Sequence, residues 1–184
     1  MNTATAEPAS ATAPEQDLGP LAWVLEELRK TMDQASKALR RYLRESDAAV
    51  GATGFSAPDI GHVEQARHLL HQCTGALEMI DQRVPAQMLR AMEAAVQHFS
   101  DQPALCADDA VTRIERASFA VADYLDTVLA GKPASAVALF PQYRDVQTVA
   151  GSDRIHPADL WRIDWAWHRP AAAGDALPLP YAPP

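Results

Sequence analysis

The chain has few of the residues that break helices or build sheets. Only 8 of its 184 residues are glycine, and aromatic residues make up 7%. So few glycines disfavour a glycine-rich phosphate-binding loop, and so few aromatics argue against an all-β fold. No run approaches 18 apolar residues, so we expect no segment to span a bilayer. Abundant alanine, the strongest helix former, favours an all-α fold instead.

The chain is also acidic and poor in cysteine. Its formal charge of −8 disfavours binding to nucleic acid or to an anionic membrane surface. Of the two cysteines, Cys73 and Cys106, Cys73 falls on an apolar helical face, which is typical of a small core residue rather than half of a disulfide. Residues 1–17 lack the basic segment and hydrophobic core of a signal peptide. We therefore expect a cytoplasmic protein in which residues 1–17 form a disordered lead-in.

Fourteen prolines leave four long proline-free windows: 21–57, 59–84, 86–102 and 104–132. Because proline is excluded from helix interiors, this spacing predicts four helices. Within each window apolar or small residues recur at steps of three and four, the pattern of a helix-bundle seam. The predicted buried seams are Leu21, Leu25, Leu28, Met32, Ala35, Leu39 and Tyr42; Val63, Ala66, Leu70, Cys73, Leu77 and Ile80; Met88 or Leu89, Met92, Ala95 or Val96, and Phe99; and Val111, Ile114, Ser118, Val121, Leu125 and Val128.

Turn-forming residues predict where these helices begin and end. The stretch DAAVGATGFSAP is expected to end the first helix, and Ser56 or Asp59 to cap the second. Pro85 is expected to open the third helix and Asp108 to cap the fourth, which Gly131 then ends. The basic residues of the first helix lie off its seam, so they are interpreted as solvated charges, with a docking patch as the alternative. They are Arg29, Lys30, Lys37, Arg40, Arg41 and Arg44.

Four amphipathic helices with moderate loops favour an antiparallel, up-down-up-down four-helix bundle. The bundle would cover about residues 20–131, with a C-terminal helical extension over 134–169 and a linker over 170–184. In the extension, one or two short helices interrupted at Pro141 are expected, followed by a single turn that starts at Pro157. Three tryptophans, Trp161, Trp165 and Trp167, crowd its end. They either pack against the outside of the bundle or form an exposed anchor for another domain.

The second predicted helix carries an unusual outer face. At about 100° per residue, His68 lies opposite the seam, and Glu64, His71 and Gly75 share its stripe. A histidine that accepts a phosphoryl group must be exposed and partly neutral near pH 7, and an ordinary imidazole has a pKa of about 6.5. An ordinary surface histidine is the alternative interpretation. His68 and His71 could approach one metal ion, but no third ligand is evident, so no metal or cofactor site is predicted.

The same helix, RHLLHQCTGALEMI, resembles the histidine phosphotransfer (HPt) helix of chemotaxis-type kinases, which typically reads His-x-x-Lys-Gly-x-x-Gly. Aligned on Gly75, His68 takes the position of the phospho-acceptor, His71 that of the lysine and Gln72 that of the first glycine. The resemblance implies an HPt-like helical domain over about residues 18–169, in which Glu64, His71, Gln72 and Gly75 surround His68 on a docking face.

A wider resemblance extends over four segments: LAWVLEELRKTMDQASKALRRYL, LHQCTGALEMI, RIERASFAVADYLDTVLAGK and ALFPQYRDVQTVAGSDRIHPADLW. Together they are similar to the N-terminal domain of Chp/Pil-type hybrid sensor histidine kinases, large CheA-like proteins that control type IV pili and twitching motility. This resemblance implies that residues 170–184 lead into a following module. It also implies as partners a response-regulator receiver domain, a kinase catalytic domain or a scaffold protein of the pilus system.

The motif departs from that family at two positions. The lysine that holds the phosphoryl group is His71 here, and the small residue that gives the partner clearance is Gln72. Two functions follow from the resemblance. In the first, the chain is a degenerate HPt-like docking module without catalysis of its own. In the second, it is an active phosphotransfer domain that accepts phosphate on His68, with any magnesium supplied by the receiver or by ATP.

Overall fold

A computed structural model describes residues 18–51 and 58–161, and this part of the chain is helix and loop, without a strand. Five α-helices follow one another: α1 (Gly19–Gly51), α2 (Gly61–Met79), α3 (Arg83–Asp101), α4 (Asp108–Leu129) and α5 (Phe140–Val149). Single 3₁₀ turns occupy Pro103–Leu105, Ala136–Leu139 and Pro157–Leu160. The all-α prediction is confirmed for these residues. The predicted lead-in over 1–17 and linker over 170–184 lie outside them.

One hydrophobic core joins all five α-helices. Helix α1 packs against α2 and α4, while α3 packs against α2, α4 and α5. The predicted seams are buried in this core, except that Ile80 and Val128 are half-buried. For α3 the sequence left open whether Met88 or Leu89, and Ala95 or Val96, face the core. All four are buried, because α2, α4 and α5 cover this helix on several sides. The periodicity therefore identified the inward faces of α1 to α4 correctly.

The predicted capping residues are wrong in detail at the starts of two helices, α2 and α4. Helix α1 ends at Gly51, within the stretch DAAVGATGFSAP that was expected to end it, and before that point the Ser46 Oγ donates to the Tyr42 carbonyl of its own helix at 3.0 Å. Asp108 is the first residue of α4 rather than its cap. In α2 the cap position is Ile60, while an Asp59 carboxylate oxygen accepts the amide N–H of Gly61 at 2.9 Å. Ser56 lies outside the described residues.

Three residues with a left-handed φ follow the ends of helices in the described ranges: Asp81 after α2, Gly131 after α4 and Gly151, with a φ of 74°, after α5. Gly131 has a φ of 66°, its N–H donates to the Val128 carbonyl, and the predicted end of α4 is confirmed. At the end of α2, Asp81 has a φ of 55°, which an aspartate tolerates better than most residues. The N–H of Gln82 then donates back to the Leu77 carbonyl at 2.8 Å. This tight turn brings α2 and α3 side by side.

Two arginines of α1 bridge to α4, so the interpretation as solvated charges is wrong for them. Arg29 pairs with Asp126 near the end of α4. Arg40 pairs with Asp108 at its start and donates to Glu115 at 2.7 and 2.6 Å. The hydrogen bonds from Arg40 to Glu115 raise the pKa of the Arg40 guanidinium, although partial desolvation opposes them. Since higher residue numbers in α1 meet lower numbers in α4, these two helices run antiparallel.

The segment after α4 folds back onto the core. Two short helical pieces are present, as expected, and they divide next to Pro141: the 3₁₀ turn Ala136–Leu139 ends there, and Pro141 lies in the first turn of α5. Pro157 begins the expected single turn, with His156 and Asp159 forming a reciprocal cap. Trp161 is 54% exposed, its ring 6.4 Å from that of His156. Trp165 and Trp167 lie outside the described residues.

Both cysteines are free thiols in the core, as was predicted for Cys73. Burial, together with the charge of Glu27, raises the pKa of Cys73 to about 12, and burial alone raises that of Cys106 to about 12. Neither thiol is therefore a ready nucleophile in the folded protein. None of the helices in the described ranges combines the length and the apolar character that crossing a membrane requires.

Candidate functional site

The outer surface of α2 carries an exposed stripe one residue wide. His68, Gln72, Gly75 and Met79 recur at steps of four, three and four, which places them within about 40° of His68 around the helix. All four are exposed, and Met79 is 88% exposed although it is a large apolar residue. Their opposite face holds the helix in the core through Leu70, Cys73 and Leu77, among others. The stripe is thus presented outward by a rigid element.

Gly75 lies at the centre of this stripe with open space around it. A Cβ atom added at Gly75 would have no atom within 4 Å, and the backbone φ is not in the left-handed region. Neither packing nor backbone geometry within the fold therefore requires glycine here. A glycine in a helix interior costs roughly 1 kcal/mol relative to alanine. Gly75 therefore leaves the α2 backbone open to close approach from outside at the centre of the stripe.

His68 is exposed, as its predicted role requires, but one ring nitrogen is engaged. The Gln72 side-chain amide Nε2 lies 2.9 Å from His68 Nε2. Because an amide nitrogen only donates, the imidazole nitrogen accepts in this contact, and the proton of the neutral ring is on Nδ1. The lone pair that Nε2 would use to attack phosphorus is the one that Gln72 occupies.

His71 has the opposite arrangement. Its Nδ1 lies 3.1 and 3.2 Å from the two carboxylate oxygens of Glu93, a residue of α3 whose side chain is 21% exposed. A carboxylate accepts, so Nδ1 carries the proton, and Nε2 of the neutral ring keeps its lone pair toward solvent. A carboxylate placed this way orients an imidazole and stabilises the positive charge that forms when Nε2 reacts. The His71 side chain is 70% exposed.

Two further carboxylates complete the surroundings. Glu64, one turn before His68, pairs with Arg67 at 3.2 Å, and the Ser100 hydroxyl and then Arg67 lower the pKa of its carboxyl. Glu78 pairs with Arg90 of α3 at 2.5 Å. These ion pairs neutralise much of the charge around the stripe. The stripe itself holds an imidazole, an amide, a glycine and a methionine, with the second imidazole, His71, beside it.

The structure therefore brings together all five residues singled out from the sequence, with Glu64, His68, His71, Gln72 and Gly75 on one surface. Two members were missed. Met79 continues the spacing of the stripe by one more turn and could have been found by extending it. Glu93 could not, because its contact depends on the register of α3 against α2, which helical periodicity leaves undetermined.

Within the described ranges no group of three or more His, Cys, Asp or Glu residues is placed to hold a metal ion. No protein-family model, curated protein or solved structure matches the chain.

Proposed function

We propose that this chain is an HPt-like signalling module whose α2 stripe, His68 to Met79, docks a partner domain of a chemotaxis-like phosphorelay. In this proposal α1 to α4 form the up-down-up-down bundle, and α5 with the turn at Pro157 braces it. The single observation that carries the docking role is the open glycine at position 75. An exposed glycine with a stability cost and no internal reason is explained if a partner element packs directly on the helix backbone.

The partner that we propose is a receiver or kinase domain of the system that controls type IV pili, in the cytoplasm. The support for this assignment is the resemblance of the segments LHQCTGALEMI and LFPQYR…HPADLW to Chp/Pil-type kinases. The near-neutral, partly apolar stripe also suits a protein surface better than a small charged substrate, because ion pairs already neutralise Glu64 and Glu78.

The docking role is tested by binding. The chain is titrated with receiver domains and with the ATP-binding kinase domain of the same organism's pilus-control system, and Gly75→Gln is compared with the wild type. The introduced side chain would fill the open space, so binding is expected to weaken about tenfold or more. The matched control is Ala48→Gln, which places the same side chain at an exposed site of α1. Equal binding by wild type and Gly75→Gln contradicts the docking role.

A second function, phosphoryl acceptance, is favoured by the Glu93–His71 contact. In it, an imidazole Nε2 lone pair attacks the phosphorus of an aspartyl phosphate, an N–P bond forms, and the P–O bond breaks with its electron pair returning to the aspartate. The alignment assigns this role to His68. The geometry favours His71, because its Nε2 is open and Glu93 can accept the Nδ1 proton or balance the ring's charge.

Labelled phosphoryl transfer separates these possibilities. A phosphorylated receiver is mixed with the wild type, His68→Gln, His71→Gln and Glu93→Gln, with an active HPt domain as the positive control. Loss of label in His71→Gln, and slower labelling in Glu93→Gln, would support acceptance at His71. Loss only in His68→Gln would support the alignment. If the wild type takes no label while the control does, the chain is a docking module alone.

A further inference from the structure

Helix α4 carries a second outer stripe, with an exposed aromatic ring at its centre. Arg116, Phe119, Ala120 and Asp123 recur at steps of three, one and three, so they lie on one face. Phe119 is 76% exposed, which is unusual for a phenylalanine on a well-packed helix. None of these residues belongs to the α2 stripe, so the proposed docking role does not account for them.

The two charges of this stripe differ from all others on α4. Five charged residues of the helix form ion pairs with α1 or within α4; they are Asp108, Asp109, Arg113, Glu115 and Asp126. The Arg116 guanidinium and the Asp123 carboxylate form no ion pair and no hydrogen bond with any residue in the described part of the chain, although the Asp123 backbone carbonyl accepts from the Thr127 hydroxyl at 2.9 Å. Seven residues apart, they are separated by about 10.5 Å along the helix and cannot reach each other easily.

A hollow of about 610 Å³ lies beside the same stripe, between α4 and the segment that leads to α5. Phe119 and Ala120 form one wall and Leu139 belongs to the other, while Arg116 and Asp123 line it as well. An exposed ring and an apolar hollow are therefore neighbours on one surface. Such a surface presents the Phe119 ring for packing and has a hollow beside it in which another ring can pack.

We propose that this face, Arg116 to Asp123, binds a second copy of the chain. The order of the residues is the reason for choosing a second copy as the partner. A cation, an apolar centre and an anion follow one another along the helix, and the two charges are equidistant from the midpoint between Phe119 and Ala120. When two α4 helices cross antiparallel about a twofold axis at that midpoint, Arg116 faces Asp123 of the partner subunit, and the reverse contact forms as well. Phe119 then packs on Ala120 of the partner subunit, beside the hollow.

This dimer uses a surface that is self-complementary in charge, and it leaves the α2 stripes of both copies open. The formal charge of −8 per chain opposes association, so the dimer is expected to be weak. Two like-signed charges on the stripe would instead repel each other in such a symmetric contact.

The test is sedimentation equilibrium of the full chain at concentrations up to the millimolar range. The wild type is expected to show a monomer–dimer equilibrium. Arg116→Asp and Asp123→Arg each place like charges in both contacts, so each should raise the dissociation constant by at least about tenfold. An equimolar mixture of the two variants should form a heterodimer, because each reversed charge then faces an opposite one. Phe119→Ser should weaken the dimer as well.

Arg154→Asp changes the net charge by the same amount as Arg116→Asp at an exposed position away from α4, and it should leave the dimer unchanged. Circular dichroism checks that each variant is folded. The proposal is overturned if the wild type is monomeric throughout, if the two reversals have no more effect than Arg154→Asp, or if their mixture stays monomeric. Capture of an unrelated protein by this face without self-association would also overturn it.

Discussion

The outer stripes of α2 and α4 are built on the same helical spacing but suit different partners. Both place one exposed, large apolar residue, Met79 or Phe119, among polar groups. On α2 the nearby charges are neutralised by ion pairs, and the centre is a glycine with open space. On α4 two opposite charges flank the ring without a partner in the described residues. The comparison teaches that a neutral, open stripe suits a different protein, while a symmetric charged stripe suits a second copy.

Loss of the shared core should abolish both stripes together. Phe99 is a fully buried side chain of α3, which packs against α2, α4 and α5. Phe99→Ala is expected to reduce the free energy of unfolding by about 3–5 kcal/mol, from lost apolar burial and the cavity left behind. Chemical denaturation followed by circular dichroism measures this. A loss below about 1 kcal/mol would mean that the core is not the common support of the two stripes.

Removing the bridge between α1 and α4 should affect the α4 stripe more than the α2 stripe. Arg40→Gln removes the hydrogen bonds to Glu115 and the pair with Asp108. Since the Arg40 side chain is 33% exposed, we expect a loss of only about 1 kcal/mol, smaller at high salt. Thermal unfolding at two salt concentrations, with Lys30→Gln as the exposed control, measures it. Equal losses for both variants would show that the bridge adds nothing to a surface charge.

Gly75→Ala should separate stability from docking. The added methyl group has open space and removes the helix penalty of glycine, so the free energy of unfolding should rise by roughly 0.5–1 kcal/mol. Binding of the partner should nevertheless weaken, while self-association through α4 should not change. Urea denaturation and partner titration, run on the same preparations, measure both. A variant that is more stable and binds equally well would remove the reason for proposing α2 as the docking surface.

The smallest expected effect concerns the pH dependence of stability near the α2 stripe. The folded state lowers the pKa of Glu64 from its usual 4.5, so its contribution is present above that pH and is lost as pH falls through the lower folded value. In Glu64→Gln, part of the acid-side slope of stability should disappear, by about a few tenths of a kcal/mol for an exposed pair. Unfolding curves from about pH 3 to 7 measure this. An unchanged slope would assign the acid sensitivity to other carboxyls.

The sequence was sufficient for what depends on a single helix. The seam of α1 from Leu21 to Tyr42, the end of α4 at Gly131 and the outward face of His68 all follow from periodicity and turn chemistry. It was insufficient wherever two helices meet. The contact of His71 with Glu93 and those of Arg40 with Glu115 and Asp108 depend on the register between helices, which packing sets.

The most direct test of the central claim is to map the bound partner on the protein. Amide chemical shifts of the isotope-labelled chain are recorded by NMR while a receiver domain of the pilus-control system is added. The account predicts that the largest shifts fall on α2 from Glu64 to Met79 and at Glu93 of α3, and that they disappear in Gly75→Gln. Shifts confined to α4, or no shifts with any receiver or kinase domain of that system, would contradict it.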